Sequence, residues 1–221
     1  MIPDILTQYQ AEIIEAIGET FVMVGISIVA AIAIGLPIGT FLYLCRVGNI
    51  MANRWVYSSL NVIVNTIRSF PFLLLVVFLI PFTRLIIGTA IGTAAATVPL
   101  SIIAIAHYAR LAEQSLLDVP KGVLEAAISM GASLKDIIFK FLYVEARSGL
   151  VFGLTTSIVS FISYSTIMGV VGGGGIGDFA IRYGYQQFKT DLMLYVIVIM
   201  IILVQVIQFV GTTIARKIDK R

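Results

Sequence analysis

Asp118-Val-Pro-Lys-Gly-Val-Leu-Glu125-Ala-Ala-Ile-Ser-Met-Gly131-Ala-Ser-Leu-Lys-Asp-Ile-Ile-Phe-Lys-Phe-Leu142 interrupts a chain that is otherwise largely apolar. The stretch carries its own folding signals. Asp118 stands where it can cap a helix, and Pro120 suits that helix's first turn. The helix runs on through Glu125, Ala126, Ala127 and Met130, and Gly131 can take the left-handed conformation that closes it. Ser133 opens a second helix, with Asp136 three residues on completing a capping-box-like pair. Ile137, Ile138, Phe141 and Leu142 then share one side, while Lys135, Asp136 and Lys140 turn to water. Two short helices joined at a glycine hinge are expected, an elbow within residues 118–146.

The rest of the chain decides what the elbow is attached to. Its 221 residues are 59% hydrophobic and only 12% charged, with a mean hydropathy of +1.01, whereas soluble domains carry about 25% charged residues. As a soluble domain it would expose far too much apolar surface. Crossing a bilayer as helix takes roughly 20 apolar residues. Five such stretches are expected, at about 20–45, 60–82, 88–108, 149–171 and 192–214. The alternation over ~10 residues that marks an outer-membrane barrel is absent. The expected fold is an all-α integral membrane bundle, residues 1–221 forming one transmembrane domain.

Charge sets its orientation. Asp4, Glu12, Glu15 and Glu19 precede or open the first span, and the first 18 residues hold no Lys or Arg, so no cleavable signal peptide is expected. Arg46 and Arg54 follow the first span; Arg110, Lys121, Lys135, Lys140 and Arg147 fill the third loop; Arg216, Lys217, Lys220 and Arg221 end the chain. Five spans put all three groups on one side, so an outside amino terminus and a cytoplasmic carboxyl terminus are expected. Arg84, Arg182 and Lys189 remain opposite. Arg68 is awkward, because a lone Arg at a helix centre costs at least ~2.5 kcal/mol; it either snorkels to the headgroups or meets an acid from another loop. The net charge of +3 is scattered and forms no stripe for nucleic acid. Cys45 is the only cysteine, which leaves no internal disulfide and no metal set.

Glu125-Ala126-Ala127, followed after three residues by Gly131, resembles the EAA motif of the permease subunits of bacterial ABC importers. That resemblance implies that Glu125, Ala126, Ala127 and Gly131 form the contact to an ATP-binding subunit. The family pattern goes on to Leu-Pro, and here Phe141-Leu142-Tyr143-Val144 lacks the proline. Arg68-Ser69-Phe70-Pro71-Phe72 is similar to a segment of amino-acid importer permeases. Gly35-Leu36-Pro37-Ile38-Gly39, Ile80-Pro81-Phe82-Thr83-Arg84, Gly88-Thr89 and Tyr183-Gly184-Tyr185 look, in their order, like the permeases of methionine importers. The resemblance implies the type I importer permease fold and a multi-pass subunit of the inner membrane. Its partners would be a second copy of itself, two ATP-binding cassette subunits that hold ATP and Mg, an external substrate-binding lipoprotein and membrane lipid. It implies no catalysis and no cofactor in this chain, and inward passage of an amino acid.

Other signals are weaker. Val171-Gly172-Gly173-Gly174-Gly175-Ile176-Gly177-Asp178 contains GxGxxG, but a span precedes it instead of a strand, and Asp178 stands where a Walker A lysine would follow. It reads as a turn at the outer mouth, or as a gating element. His107 is expected at the end of the third span, at headgroup level or as a cap. Gly153, Thr156, Ser157, Ser160, Ser163 and Tyr164 recur at helical spacing. They serve close packing, or Ser160, Ser163 and Tyr164 line a solute path that Met168 narrows. A permease for another amino acid or small polar solute is the near alternative. The distant one is an ion-coupled secondary transporter or channel, which would bury ionisable groups within its spans; only Gln205 and Gln208 enrich helix 5, and no inverted repeat is evident.

Overall fold

In the computed structural model, which describes residues 7–219, every regular element among the described residues is a helix. The first span is continuous from Gln10 to Cys45, as α1 (Gln10–Ala30), a π turn at Ala31–Gly35 and α2 (Leu36–Cys45). Pro37 removes an N–H from the helical ladder, and the π turn just before it absorbs the mismatch. Then come α3 (Arg54–Ser69) and α4 (Phe72–Ile87), α5 (Thr93–Leu117) and the short α6 (Lys121–Ser129). A rod from Leu134 to Val170 combines α7 (Leu134–Asp136), a π turn at Ile137–Leu142 and α8 (Tyr143–Val170). After α9 (Gly175–Phe179) and a third π turn at Ala180–Tyr185, α10 (Thr190–Ile218) ends the chain.

Four of these rods are long and apolar enough to cross a membrane, and there are five spans if the bent pair α3 and α4 counts as one. All are longer than the apolar stretches suggest, because a helix does not stop where the oil does: charged turns such as Glu12–Glu19 continue α1 past it. The expected single helix over 60–82 is corrected. α3 and α4 meet at 110°, because Pro71 forces Phe70 before it into extended backbone (ψ 132°). His107 is also moved. α5 runs nine residues further, so the imidazole lies inside the bundle, edge-on to Phe161 at 6.1 Å, rather than at a helix end. Asp4, Lys220 and Arg221 lie outside the described residues.

α5 is the axis of packing. Leu100, Ala104, Ala109, Ala112 and Leu116 have no exposed surface. The first span lies close along it through Gly35, where an added Cβ would stand 2.8 Å from the Ile105 carbonyl, and through Gly39 against Ala109 and Ala112. Small residues of this kind let membrane helices approach backbone to backbone. Met23, Val24, Phe72, Leu75, Ile103 and Phe161 complete the core between α1, α4, α5 and α8. α10 differs: its most apolar window is only 6% buried. Its Phe209 and the Val29 of α1 stand 72% and 66% exposed, surfaces suited to lipid or another subunit.

Candidate functional site

At the elbow end, α5 runs into the corner Asp118–Pro120, and α6 starts at Lys121 with Pro120 in extended backbone (ψ 133°) before it and no side-chain cap. The expectation that Asp118 caps this helix is corrected: Asp118 closes α5, its N–H donating to the Gln114 carbonyl at 3.2 Å. Pro120 needs no capping partner for its own missing N–H. The far end of α6 is as expected. Gly131 has φ +73°, its N–H donates to Ile128 O at 2.9 Å, and the Ala132 N–H donates to Ala127 O at 3.1 Å. Together these two bonds form a Schellman closure. Ser133 Oγ accepts the Asp136 N–H at 3.2 Å and donates to Asp136 Oδ2 at 2.6 Å; Lys140 pairs with the same carboxylate at 2.6 Å. The second limb is not a separate helix but the root of α8.

The limb α6 is anchored on one side and open on the other. Ala127 is wholly buried, packed with Tyr43, Leu116, Leu142 and Ala146, which belong to α2, α5, the π turn and α8. Glu125, Ala126 and Gly131 are exposed, and beside them Ile128 and Met130 are 51% and 67% exposed. The Tyr143 hydroxyl bonds Thr40 Oγ1 at 2.7 Å, tying α8 to the first span just above the elbow. The buried side of α6 thus meets the ends of three spans through Ala127.

The hydroxyl row of α8 divides. Gly153 and Ser157 are buried, with Ser157 bonded to the Gly153 carbonyl at 2.8 Å, so close packing accounts for them. Thr156 and Ser163 are exposed and Ser160 is part-exposed, each hydroxyl donating to the carbonyl four residues back. Tyr164 stacks on Phe72 at 4.7 Å, which brings this side of α8 to the bend between α3 and α4. Met168 is 3% exposed; its carbonyl accepts the Gly173 N–H at 2.8 Å, so it supports the glycine turn from beneath.

The polar side of α3 is the feature that sequence reasoning missed. Asn61, Asn65, Thr66 and Ser69 line an open cavity of about 510 Å³. Arg110 donates to the Oδ1 atoms of both Asn61 and Asn65 and pairs with Glu113, which is 1% exposed. Arg110 is therefore not a loop charge but a clamp between α3 and α5. The signal was present as Asn61 and Asn65 one turn apart, and as Arg110 and Glu113 at i,i+3. Arg68 is exposed near the end of α3, and no acid pairs with it among the described residues.

At the opposite end Gly172, Gly174 and Gly175 all have positive φ. The turn they make drives the start of α9 against α1: the Gly175 N–H donates to Glu19 Oε2 at 2.6 Å and the Ile176 N–H to Thr20 Oγ1 at 2.9 Å. Thr93, the first residue of α5, donates to Glu19 Oε1 at 2.9 Å. Glu19, expected only as an orienting charge, joins three helices.

A bundle of membrane-crossing helices that presents a folded, half-anchored elbow beyond one end is the membrane part of a pump built from several subunits. More narrowly, the chain belongs to the binding-protein-dependent transport system inner membrane component family, whose sequence model matches residues 35–221. It is 44% identical to the probable D-methionine transport system permease protein MetI of Vibrio cholerae, over 95% of this chain and 93% of that protein. The methionine import system permease protein MetP of Bacillus subtilis is 41% identical over 81% of each chain. Among solved structures, an inward-facing MetNI methionine ABC transporter chain superposes with a TM-score of 0.94 at 40% identity, covering 96% of this chain and 99% of that one. The type I importer permease fold follows.

Proposed function

We propose that this chain is the membrane-spanning subunit of an ATP-driven importer that carries methionine into the bacterial cytoplasm. It works as a homodimer in the inner membrane, with the elbow and carboxyl terminus in the cytoplasm and the amino terminus outside. Two ATP-binding cassette subunits hold ATP and Mg, and an external binding protein delivers the solute. The observation that carries this reading is the elbow itself: one side of α6 buried on three spans through Ala127, the other offering Glu125, Ile128 and Met130. An exposed apolar pair next to a carboxylate suits a cleft in a partner protein, with Met adaptable enough to follow its movement. ATP-driven closure of the two partners changes how that side is held, and such differential docking can shift the spans between states.

Within the dimer, Ser160, Ser163 and Tyr164 face the solute path beside the bend of the second span, and Met168 sets the height of the glycine turn above them. The test is reconstitution with the cognate ATPase and binding protein, followed by uptake of labelled methionine. Wild type accumulates label only with ATP, and Glu125→Lys lowers uptake by at least about tenfold, the equivalent of a lost charged contact of 1.4 kcal/mol, while the external protein still binds methionine. Full uptake by Glu125→Lys would remove the elbow from the mechanism; uptake by the purified chain alone would remove the class.

A further inference from the structure

The guanidinium of Arg68 is exposed in the protomer, yet it stands next to the packed interior of the bundle. It stands one residue before the end of α3, and Phe72 just beyond the bend packs in the central cluster with Leu100 and Phe161. A cation at that depth cannot face hydrocarbon; it faces water or an anion.

The chain has 12 acidic residues, and their positions can be searched for a counter-ion. Glu12, Glu15, Glu19, Asp178 and Asp191 lie at the glycine end, and Asp118, Glu125, Asp136, Glu145 and Asp219 lie at the elbow end. Glu113 is buried and engaged with Arg110, and Asp4 belongs to the amino-terminal segment. Among the described residues a second copy of the chain brings the same acids at the same two ends, so dimerisation adds no free acid between them. Arg68 is moreover three and seven residues on from Asn65 and Asn61 and next to Ser69, three of the residues that line the 510 Å³ cavity. The clamp from Arg110 fixes the two amide oxygens of that row, so the row is held in place before any solute arrives.

We propose that Arg68 is a specificity-determining residue of the solute path: it receives the carboxylate of the transported amino acid at the bend of the second span, with Ser69 and the Asn61–Asn65 row beside it. A planar guanidinium pairs well with a carboxylate, and the carboxylate supplies the anion that neither protomer does. This rests on the importer reading above. The test uses the reconstituted complex of permease, ATPase and binding protein, and reads methionine delivered per ATP hydrolysed. Arg68→Ala lowers that ratio by about tenfold, the loss expected for one charge-assisted contact, and Arg68→Lys, which keeps the charge, restores it to within about threefold of wild type. A ratio for Arg68→Ala within about twofold of wild type overturns the proposal, and so does a ratio that falls for Lys as far as for Ala, since packing rather than charge would then be at stake. Failure of the wild-type complex to deliver methionine breaks the importer reading instead, and is seen before any variant is made.

Discussion

Both ends of the bundle turn on glycine, and for opposite reasons. At Gly131 an added Cβ meets nothing within 4 Å; only the backbone, at φ +73°, asks for glycine. At Gly175 the φ is +81° as well, but an added Cβ would stand 2.7 Å from Met23 Cε and 2.9 Å from Thr20 Oγ1. The elbow is a lever with free space around its hinge. The other end is a seam in which α9 is pressed into α1 and bonded there through Glu19. The difference leaves room for movement at one end and none at the other, as the proposed role of the elbow requires.

The strongest way to break this contrast is Gly175→Val, which adds steric overlap to backbone strain and is expected to cost about 3 kcal/mol or more, read as a lowered melting temperature and a poor yield of folded protein in detergent. Next is Glu19→Gln, which replaces a carboxylate accepting from both Gly175 N–H and Thr93 with an amide that can accept on one side only. A loss of about 2 kcal/mol is expected, with faster hydrogen exchange at Gly175 and Ile176. Smallest is Gly131→Ala, about 1 kcal/mol of strain confined to the elbow: exchange at Ala132 quickens, the melting temperature of the bundle hardly moves, and uptake falls. If Gly131→Ala melts the bundle as deeply as Gly175→Val, the lever is part of the seam and the contrast is gone.

The same contrast explains what could be read in advance. The elbow's closing turn and second cap were legible because local chemistry decides them: Gly131 for a left-handed residue, Ser133 and Asp136 for a cap. Its entry was misjudged, since Asp118 was claimed by the preceding helix, which apolar content alone had ended at 108. The five spans were legible from composition, but the second was straightened in error. Phe70-Pro71 announces a break, and a reading by hydropathy passes over it because both flanks are apolar enough. The row on α8 held two meanings that spacing could not separate: Gly153 and Ser157 pack, while Ser160 and Ser163 look outward. The contacts of Glu19, and the meeting of the Arg110–Glu113 pair with the Asn61–Asn65 pair, were hidden for another reason. Their partners lie 45 to 156 residues away in the chain, and no periodicity reports such a meeting.

The back-bonded hydroxyls of α8 have a consequence for how a solute would travel past them. Thr156, Ser160 and Ser163 each spend their one hydrogen on their own helix, so the wall they form is wettable but has only acceptor lone pairs left to offer. A polar cargo passing there would meet no repulsion from oil, and only its own N–H or O–H groups would find a partner. Such a surface sorts what touches it by the hydrogens it carries, greeting a donor and letting an acceptor slip by.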